Sequence, residues 1–270
     1  MGPQVKRRLT MAGAITMLLA SLAPAHDTWV QPNTNLVRVG DAVHIDLMLG
    51  NHGNDHRDFK LASKPAPEAI TLNVIGPDGA KHDLKPSLID LGYAPKEGFF
   101  TTKFQPDQAG MYTVVQTSDA VVSYAPTRSI KTGKTFFVAT KSLDNVPVKN
   151  DGFDRAIGKG LELVPQTNPV TPMGPGTPLK VRLLMNGKAV PDARVSFIPR
   201  GATLSEGFDE RYERKTDSAG DATFEPKEAN YYLVVAHHES PDEKGEGYTS
   251  TKYSATMAIY VPAVCPCCGE

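Results

Sequence analysis

Histidine and cysteine are the residue types in this sequence best suited to binding a metal ion, and His26 is the most distinctive of them. It follows Ala23-Pro24-Ala25, a small-x-small pattern typical of signal-peptide cleavage. Cleavage after Ala25 would place His26 at a free amino terminus, where the α-amino group and the imidazole can chelate one ion. A nitrogen from a distant histidine would complete a three-nitrogen site suited to copper or nickel. The alternative interpretation is that His26 is merely exposed.

Two other histidine groups could supply that third nitrogen. The polar segment Asn51–Asp58 contains His52 and His56 together with two aspartates, and it reads either as a binding loop or as a solvated one. His237 and His238 end a predicted strand, where adjacent side chains point to opposite faces. At most one of this pair should therefore face a given site, and surface polarity is the alternative.

The cysteines form a separate candidate site close to the end of the chain. All three lie within the motif Cys265-Pro266-Cys267-Cys268, and none occurs earlier in the sequence. Three thiolates could hold Cu(I) or Zn(II), or two of them could form a disulfide that leaves one for a second chain. An inert tail is the third interpretation. Any fold before this motif must be stabilised without disulfides.

The first 25 residues have the pattern of a secretory signal peptide. Lys6, Arg7 and Arg8 precede an uncharged apolar run of 13 residues, Met11–Ala23, and the cleavage pattern follows. No other stretch approaches the roughly 18 apolar residues of a membrane-spanning helix. We therefore expect a periplasmic or extracellular protein with no membrane span in the mature chain.

The charge balance argues against nucleic acid as a partner. The sequence has 29 Lys+Arg and 30 Asp+Glu, and removal of the three basic residues of the leader would leave 26 against 30. A chain of this balance offers no basic surface for a phosphate backbone. The slight acidic excess is compatible with cation binding without requiring it.

The sequence predicts that short β-strands position the candidate histidines and cysteines. Val43, Ile45, Leu47 and Leu49 alternate with His44, Asp46 and Met48, a two-residue period typical of a strand. Further strands are predicted between turn signals, among them Ile70–Ile75 and Thr135–Ala139, and Asn186-Gly187 is a predicted hairpin turn. This spacing predicts an all-β protein with two sandwich domains, the first immunoglobulin-like or jelly-roll-like. The predicted divisions are a signal peptide at 1–25, a first domain at 26–140, a Pro/Gly-rich connector outside the core at 141–176, a second domain at 177–262 and a Cys-rich tail at 263–270.

Several segments resemble a family of exported bacterial two-domain proteins. They include Ala25–Pro32, Gly50-Asn51-His52-Gly53, Leu161–Pro169, Asn186–Pro191 and Thr216–Gly220. Members are labelled as a domain of unknown function or as the periplasmic component of a nickel or cobalt uptake system, and the second half also resembles prealbumin-like modules. The resemblance implies nickel or cobalt as the ion and a membrane metal-transport permease as the partner. Two adjacent histidines that members often carry are here Asn51 and His52.

Enzyme signatures are missing from the sequence. It contains no GxSxG elbow, no HExxH motif and no complete phosphate loop. We therefore expect a non-enzymatic metal-binding protein. A structural or adhesive cell-envelope protein is the first alternative, and a copper-dependent oxidative enzyme that uses the amino-terminal histidine is the second.

Overall fold

The computed structural model describes residues 26–52, 57–92, 94, 97–122, 125–265 and 267, with side chains left undescribed from residue 51 to 60. The predicted signal peptide lies outside these residues. The regular secondary structure of the described residues is β-strand, apart from two single-turn 3-10 helices at Pro67–Ala69 and Lys85–Ser87. In chain order they are β1 His26–Pro32, β2 Leu36–Arg38, β3 Val43–His52, β4 Arg57–Ser63, β5 Ile70–Ile75, β6 Lys81–Asp83, β7 Ile89–Asp90, β8 Phe100–Phe104, β9 Gly110–Val121, β10 Thr127–Thr140, β11 Leu161–Pro165, β12 Leu179–Met185, β13 Lys188–Ala189, β14 Arg194–Pro199, β15 Glu213–Lys215, β16 Asp221–Phe224, β17 Asn230–Ser240 and β18 Ser250–Val261.

The strands form three sheets stacked in layers. A nine-stranded sheet has the order β15-β14-β17-β18-β10-β9-β5-β6, with β2 also paired to β10. A five-stranded sheet has the order β1-β3-β8-β7, with β4 also paired to β3, and a four-stranded sheet has the order β11-β12-β13, with β16 also on β12. The prediction of an all-β, sandwich-like fold is confirmed.

Neighbouring residues of β10 show how the layers are arranged. Phe136 packs in a core with Leu163 and Val181 of the four-stranded sheet, whereas Phe137 packs in a core with Ile45 and Leu47 of the five-stranded sheet. Because side chains alternate along a strand, the nine-stranded sheet is covered on one face by each smaller sheet. A third group of buried side chains, which includes Trp29 and Leu233, joins β1 to β17.

Most predicted strands are present within a few residues of their predicted bounds. Ile70–Ile75 is a strand with the predicted limits. Asn186-Gly187 forms the predicted hairpin turn between β12 and β13, with positive φ angles of 51° and 77°. The strand predicted from Thr135 to Ala139 instead runs over 14 residues, from Thr127. Its first half is polar, but pairing with β9 and β18 satisfies its backbone whatever its side chains are.

The interpretation of residues 141–176 as a connector outside the core is wrong in one part. Leu161–Pro165 is a strand whose five residues are all buried, and it pairs with β12. Leu161 and Leu163 pack in the core with residues of β10 and β18, and Glu162 bonds Lys134. The segment is therefore part of the packed fold and not an external connector. The many Pro and Gly residues around it concealed a short strand.

The two predicted domains share main-chain hydrogen bonds. β10 of the first half runs parallel to β18 of the second half over nine residue pairs, from Thr127 with Ser250 to Thr135 with Ala258. The division into two domains stays a prediction, and the nine-stranded sheet is continuous across it. Within the described ranges, no helix is long and apolar enough to cross a membrane.

Candidate functional site

The start of β1 is fixed on the nine-stranded sheet by side chains beneath it. β1 pairs with β3 along one edge. Along its other edge, the carbonyl oxygen of His26 accepts a hydrogen bond from Lys131 Nζ, and that of Thr28 accepts one from Thr256 Oγ1 at 2.7 Å. These contacts hold His26 over β10 and β18.

His237 is held beside this point by the residue that follows His26. Its Nε2 lies 3.1 Å and 3.0 Å from the two carboxylate oxygens of Asp27. The Asp27 side chain is only 1% exposed, whereas that of His237 is 36% exposed. The imidazole is therefore fixed from below by a buried carboxylate and remains open to solvent on one side.

Lys131 provides the positive charge that faces Asp27. His237 pairs with Ser254 on β18, and Ser254 pairs with Lys131 on β10, so the three residues form one row across the sheet. Burial lowers the pKa of Lys131, and the attraction of Asp27 opposes part of that shift. The buried carboxylate thus interacts with both an imidazole and an ammonium group.

The side chains of His26 and Asp27 lie on opposite faces of β1. Thr28 donates its hydroxyl to Gln116 on β9, while Trp29 packs against Leu233 of β17. Alternation along the strand puts residue 26 on the Thr28 side and Asp27 on the Trp29 side. The N–H and C=O groups of one strand residue point toward the same edge of the strand. The main-chain nitrogen of His26 therefore lies at the edge where Lys131 bonds the His26 carbonyl oxygen, between the two faces.

The other predicted site residues do not all lie at the start of β1. Asn51 pairs with His26 in the β1–β3 ladder, so the backbone of His52 ends β3 beside the start of β1. His56 and Cys268 lie outside the described residues, as does the side chain of His52. His238 faces the opposite side of the sheet, where its ring centroid is 6.3 Å from that of Tyr253. Cys265 and Cys267 are half-buried after β18.

The structure therefore brings His26, the backbone of His52 and His237 to one end of the molecule. Over the ranges that the structure describes, no three or more His, Cys, Asp or Glu side chains form a group that could hold a metal ion. Sequence reasoning missed Asp27 and Lys131. One feature of the sequence could have identified Asp27, which is its position next to His26. Lys131 could not be identified in this way, because it approaches His26 only through the passage of β10 beneath β1.

A family model described as a domain of unknown function, DUF4198, matches residues 23–240. The chain belongs to this family, which covers both halves of the fold. Its description assigns no activity, and it does not confirm the nickel or cobalt label of the resemblance. No curated protein matches the chain.

Solved structures share the β-rich architecture at low similarity. A DUF4785 family protein from Legionella pneumophila is 10% identical with a TM-score of 0.28, over 77% of this chain and 50% of that one. Trypsin-activated alpha-2-macroglobulin from Escherichia coli is 13% identical with a TM-score of 0.26, over 88% of this chain and 16% of that one. The Yersinia pseudotuberculosis adhesin InvE is 10% identical with a TM-score of 0.23, over 85% and 58%. The chain thus spans less than two thirds of each, and these likenesses carry no argument about function.

Proposed function

We propose that this protein is an exported binding protein that takes up a divalent transition-metal ion at the start of β1 and delivers it to a membrane uptake system. Its place is the periplasm or the cell exterior, and its partner is a metal-transport permease. It carries the ion without performing chemistry on it. The hydrogen bond between Asp27 and His237, adjacent to His26, is the observation that carries this proposal.

A carboxylate bonded to one imidazole nitrogen is the usual support of a metal-binding histidine. The carboxylate accepts a hydrogen bond from the N–H of one ring nitrogen, orients the ring and leaves the lone pair of the other nitrogen free for the ion. With Asp27 accepting from Nε2, Nδ1 of His237 becomes the donor to the ion. The same bond keeps the ring at the site before the ion arrives.

His26 supplies two further nitrogens once the leader has been removed. Cleavage after Ala25 converts the main-chain nitrogen in the strand edge into an α-amino group. From that edge, an ion can contact the imidazole of His26 on one face and His237 on the other. Lys131 bonds His26 through its carbonyl oxygen, so it anchors the residue without occupying either nitrogen.

The donor set narrows the choice of ion. Nitrogen donors suit nickel and copper and are acceptable to cobalt, with affinity rising toward copper among the divalent ions. Nickel or cobalt is the proposed cargo, in line with the sequence resemblance, and copper is the alternative. Asp27 balances the charge of Lys131, so the site is not strongly repulsive to a cation.

Native mass spectrometry of the chain beginning at His26, exposed to equimolar nickel, cobalt, copper and zinc, tests the proposal. We expect one bound ion per chain. The ion should be lost in His237→Gln and in a chain with Gly-Ser added before His26, since each change removes a nitrogen donor. His82→Gln is the matched control, because His82 is an exposed histidine on β6, remote from this end of the fold.

Each contrary outcome points to a different function. Retention of the ion by His237→Gln, with loss on removal of residues 265–270, would move the site to the cysteine motif. A chain that binds none of the four ions would favour a structural or adhesive role. Copper-dependent oxidation of a reductant by oxygen would favour the oxidative enzyme.

A further inference from the structure

A buried serine hydroxyl beneath β1 makes no hydrogen bond within the part of the chain that the structure describes. Ser254 of β18 is 6% exposed, and its Oγ atom is removed from solvent. A hydroxyl group can donate one hydrogen bond and accept two, and leaving it buried without any of them is costly. Such groups are uncommon in folded proteins, so this one calls for a partner that the chain itself does not supply.

The neighbours of Ser254 along β18 show that its side chain faces β1. Thr256, two residues further on, donates its hydroxyl to the carbonyl oxygen of Thr28 at 2.7 Å. Tyr253 and Ala255 pack in the core on the opposite face of the sheet. Because side chains alternate along a strand, Ser254 and Thr256 both point toward β1.

The pairing of Ser254 with its neighbours places it at the level of His26. On one side it pairs with Lys131, whose Nζ donates to the carbonyl oxygen of His26. On the other side it pairs with His237, whose ring bonds the carboxylate of Asp27. Side chains paired in this antiparallel ladder have Cβ atoms about 4.5–5.5 Å apart. The hydroxyl therefore lies between the histidine of the proposed metal site and the lysine that anchors His26.

The main-chain nitrogen of His26 is directed toward the same region. It lies on the strand edge of its own carbonyl group, and that edge faces β10 and β18. The α-amino group created by cleavage after Ala25 would therefore face Ser254, with His237 beside it.

We propose that Ser254 Oγ is an oxygen donor of the metal site, where it bonds the ion or a water molecule on the ion. This inference rests on the proposed function, which supplies the ion and its nitrogen donors from His26 and His237. The complete set is then three nitrogens and one neutral oxygen. Such donors suit divalent cobalt, nickel, copper or zinc, whereas Cu(I) prefers sulfur. The start of β1 is therefore a site for divalent ions.

Ser254→Ala separates this role from a structural one. We expect isothermal titration calorimetry with nickel(II) chloride, on the chain beginning at His26, to show an affinity about tenfold lower. The midpoint of urea unfolding should stay the same or rise, because the hydroxyl has no hydrogen bond to lose. Ser250→Ala is the matched control, since Ser250 lies on the same strand and face, about 13 Å away. It should leave the affinity unchanged.

Ser254→Cys tests the position of the side chain directly. The variant is made in a chain whose Cys265, Cys267 and Cys268 are replaced by serine, so that no other thiol is present. Bound cobalt(II) should then give a sulfur-to-metal charge-transfer band in the near ultraviolet. Ser250→Cys in the same chain should give none.

The outcomes distinguish this inference from the proposed function. An ion that the parent chain binds and His237→Gln loses, with no band in Ser254→Cys or with full affinity in Ser254→Ala, would overturn the role of Ser254 alone. Equal losses of affinity in Ser254→Ala and Ser250→Ala would also overturn it. A parent chain that binds no ion would overturn both.

Discussion

Lys134 and Glu162 form an ion pair in which both side chains are shielded from water. Their side chains are 1% and 0% exposed, and Nζ lies 2.7 Å from Oε2. Glu162 also accepts the backbone N–H groups of Ile157 and Gly158, at 2.8 Å and 2.7 Å. The two partners are therefore not equivalent, since among the described residues the glutamate alone has other hydrogen bonds that remain when its partner is removed.

Glu162→Gln should lower the free energy of unfolding by about 3–5 kcal/mol, the cost of leaving a buried charge unpaired. Lys134→Met should cost less, because Glu162 keeps the two backbone donors. Urea unfolding followed by circular dichroism measures both. An equal or larger loss in Lys134→Met would contradict this account of the pair.

Lys131 gives the fold a pH dependence that a variant can isolate. Burial lowers its pKa below the ordinary value of 10.5, so between the two values the unfolded chain binds more protons than the folded one. Stability should therefore rise with pH in that window, relative to Lys131→Met. Urea unfolding of both chains from pH 7 to pH 10 gives the difference. If the stability of the parent chain relative to Lys131→Met stays constant or falls as the pH rises, the assignment is refuted.

At the scale of the element, β1 is an edge strand whose free edge is covered by the sheet beneath it. Gly133 of β10 makes this close approach possible. A Cβ at this position would lie 3.1 Å from Thr256 Oγ1, 3.2 Å from Gln116 Oε1 and 3.5 Å from the carbonyl oxygen of Thr28. The first two distances are short for a Cβ atom, so an added methyl group would press on the two side chains that bond Thr28 and anchor β1.

Gly133→Ala should destabilise the protein by about 1–3 kcal/mol, as expected of overpacking in a close-packed interior. It should also weaken metal binding if the proposed site at the start of β1 is correct, because β1 would shift. Thermal unfolding measures the first effect. Gly174→Ala is the control, since its Cβ would have no neighbour closer than 3.8 Å. Similar losses in the two variants would argue against the close approach.

At the scale of the molecule, the nine-stranded sheet joins the two halves of the chain. β10 and β18 come from different halves and run side by side, and the core on one face combines Met111 and Phe136 with Leu163 and Val234. Parallel pairing across such a sequence separation requires both halves to be present. We therefore expect the whole chain to unfold in one cooperative step.

A fragment of residues 26–140 should not fold into the structure it has in the whole chain. Removing the second half leaves the edge of β10 unpaired from Thr127 to Thr135 and exposes one face of the sheet, a combination that promotes aggregation. Size-exclusion chromatography and NMR of the fragment test this. A monomer with dispersed signals would show instead that the predicted division into two domains is also a division into independent folding units.

The sequence by itself determined the class of the fold and most of its strands. Alternation over Val43–Leu49, the limits of Ile70–Ile75 and the Asn186-Gly187 turn are local signals, carried by side-chain period and backbone preference. It also selected the histidines at His26 and His237 as candidates for one site. These inferences need only neighbours along the chain.

Tertiary structure alone decided which of those residues meet. Asp27 and His237 are 210 positions apart, and Lys131 reaches the carbonyl oxygen of His26 from 105 positions away. Leu161–Pro165 and the polar half of β10 are strands because their partners complete their hydrogen bonds, not because of their own composition. Strand order and pairing are set by the packing of the whole chain, and no local pattern in the sequence encodes them.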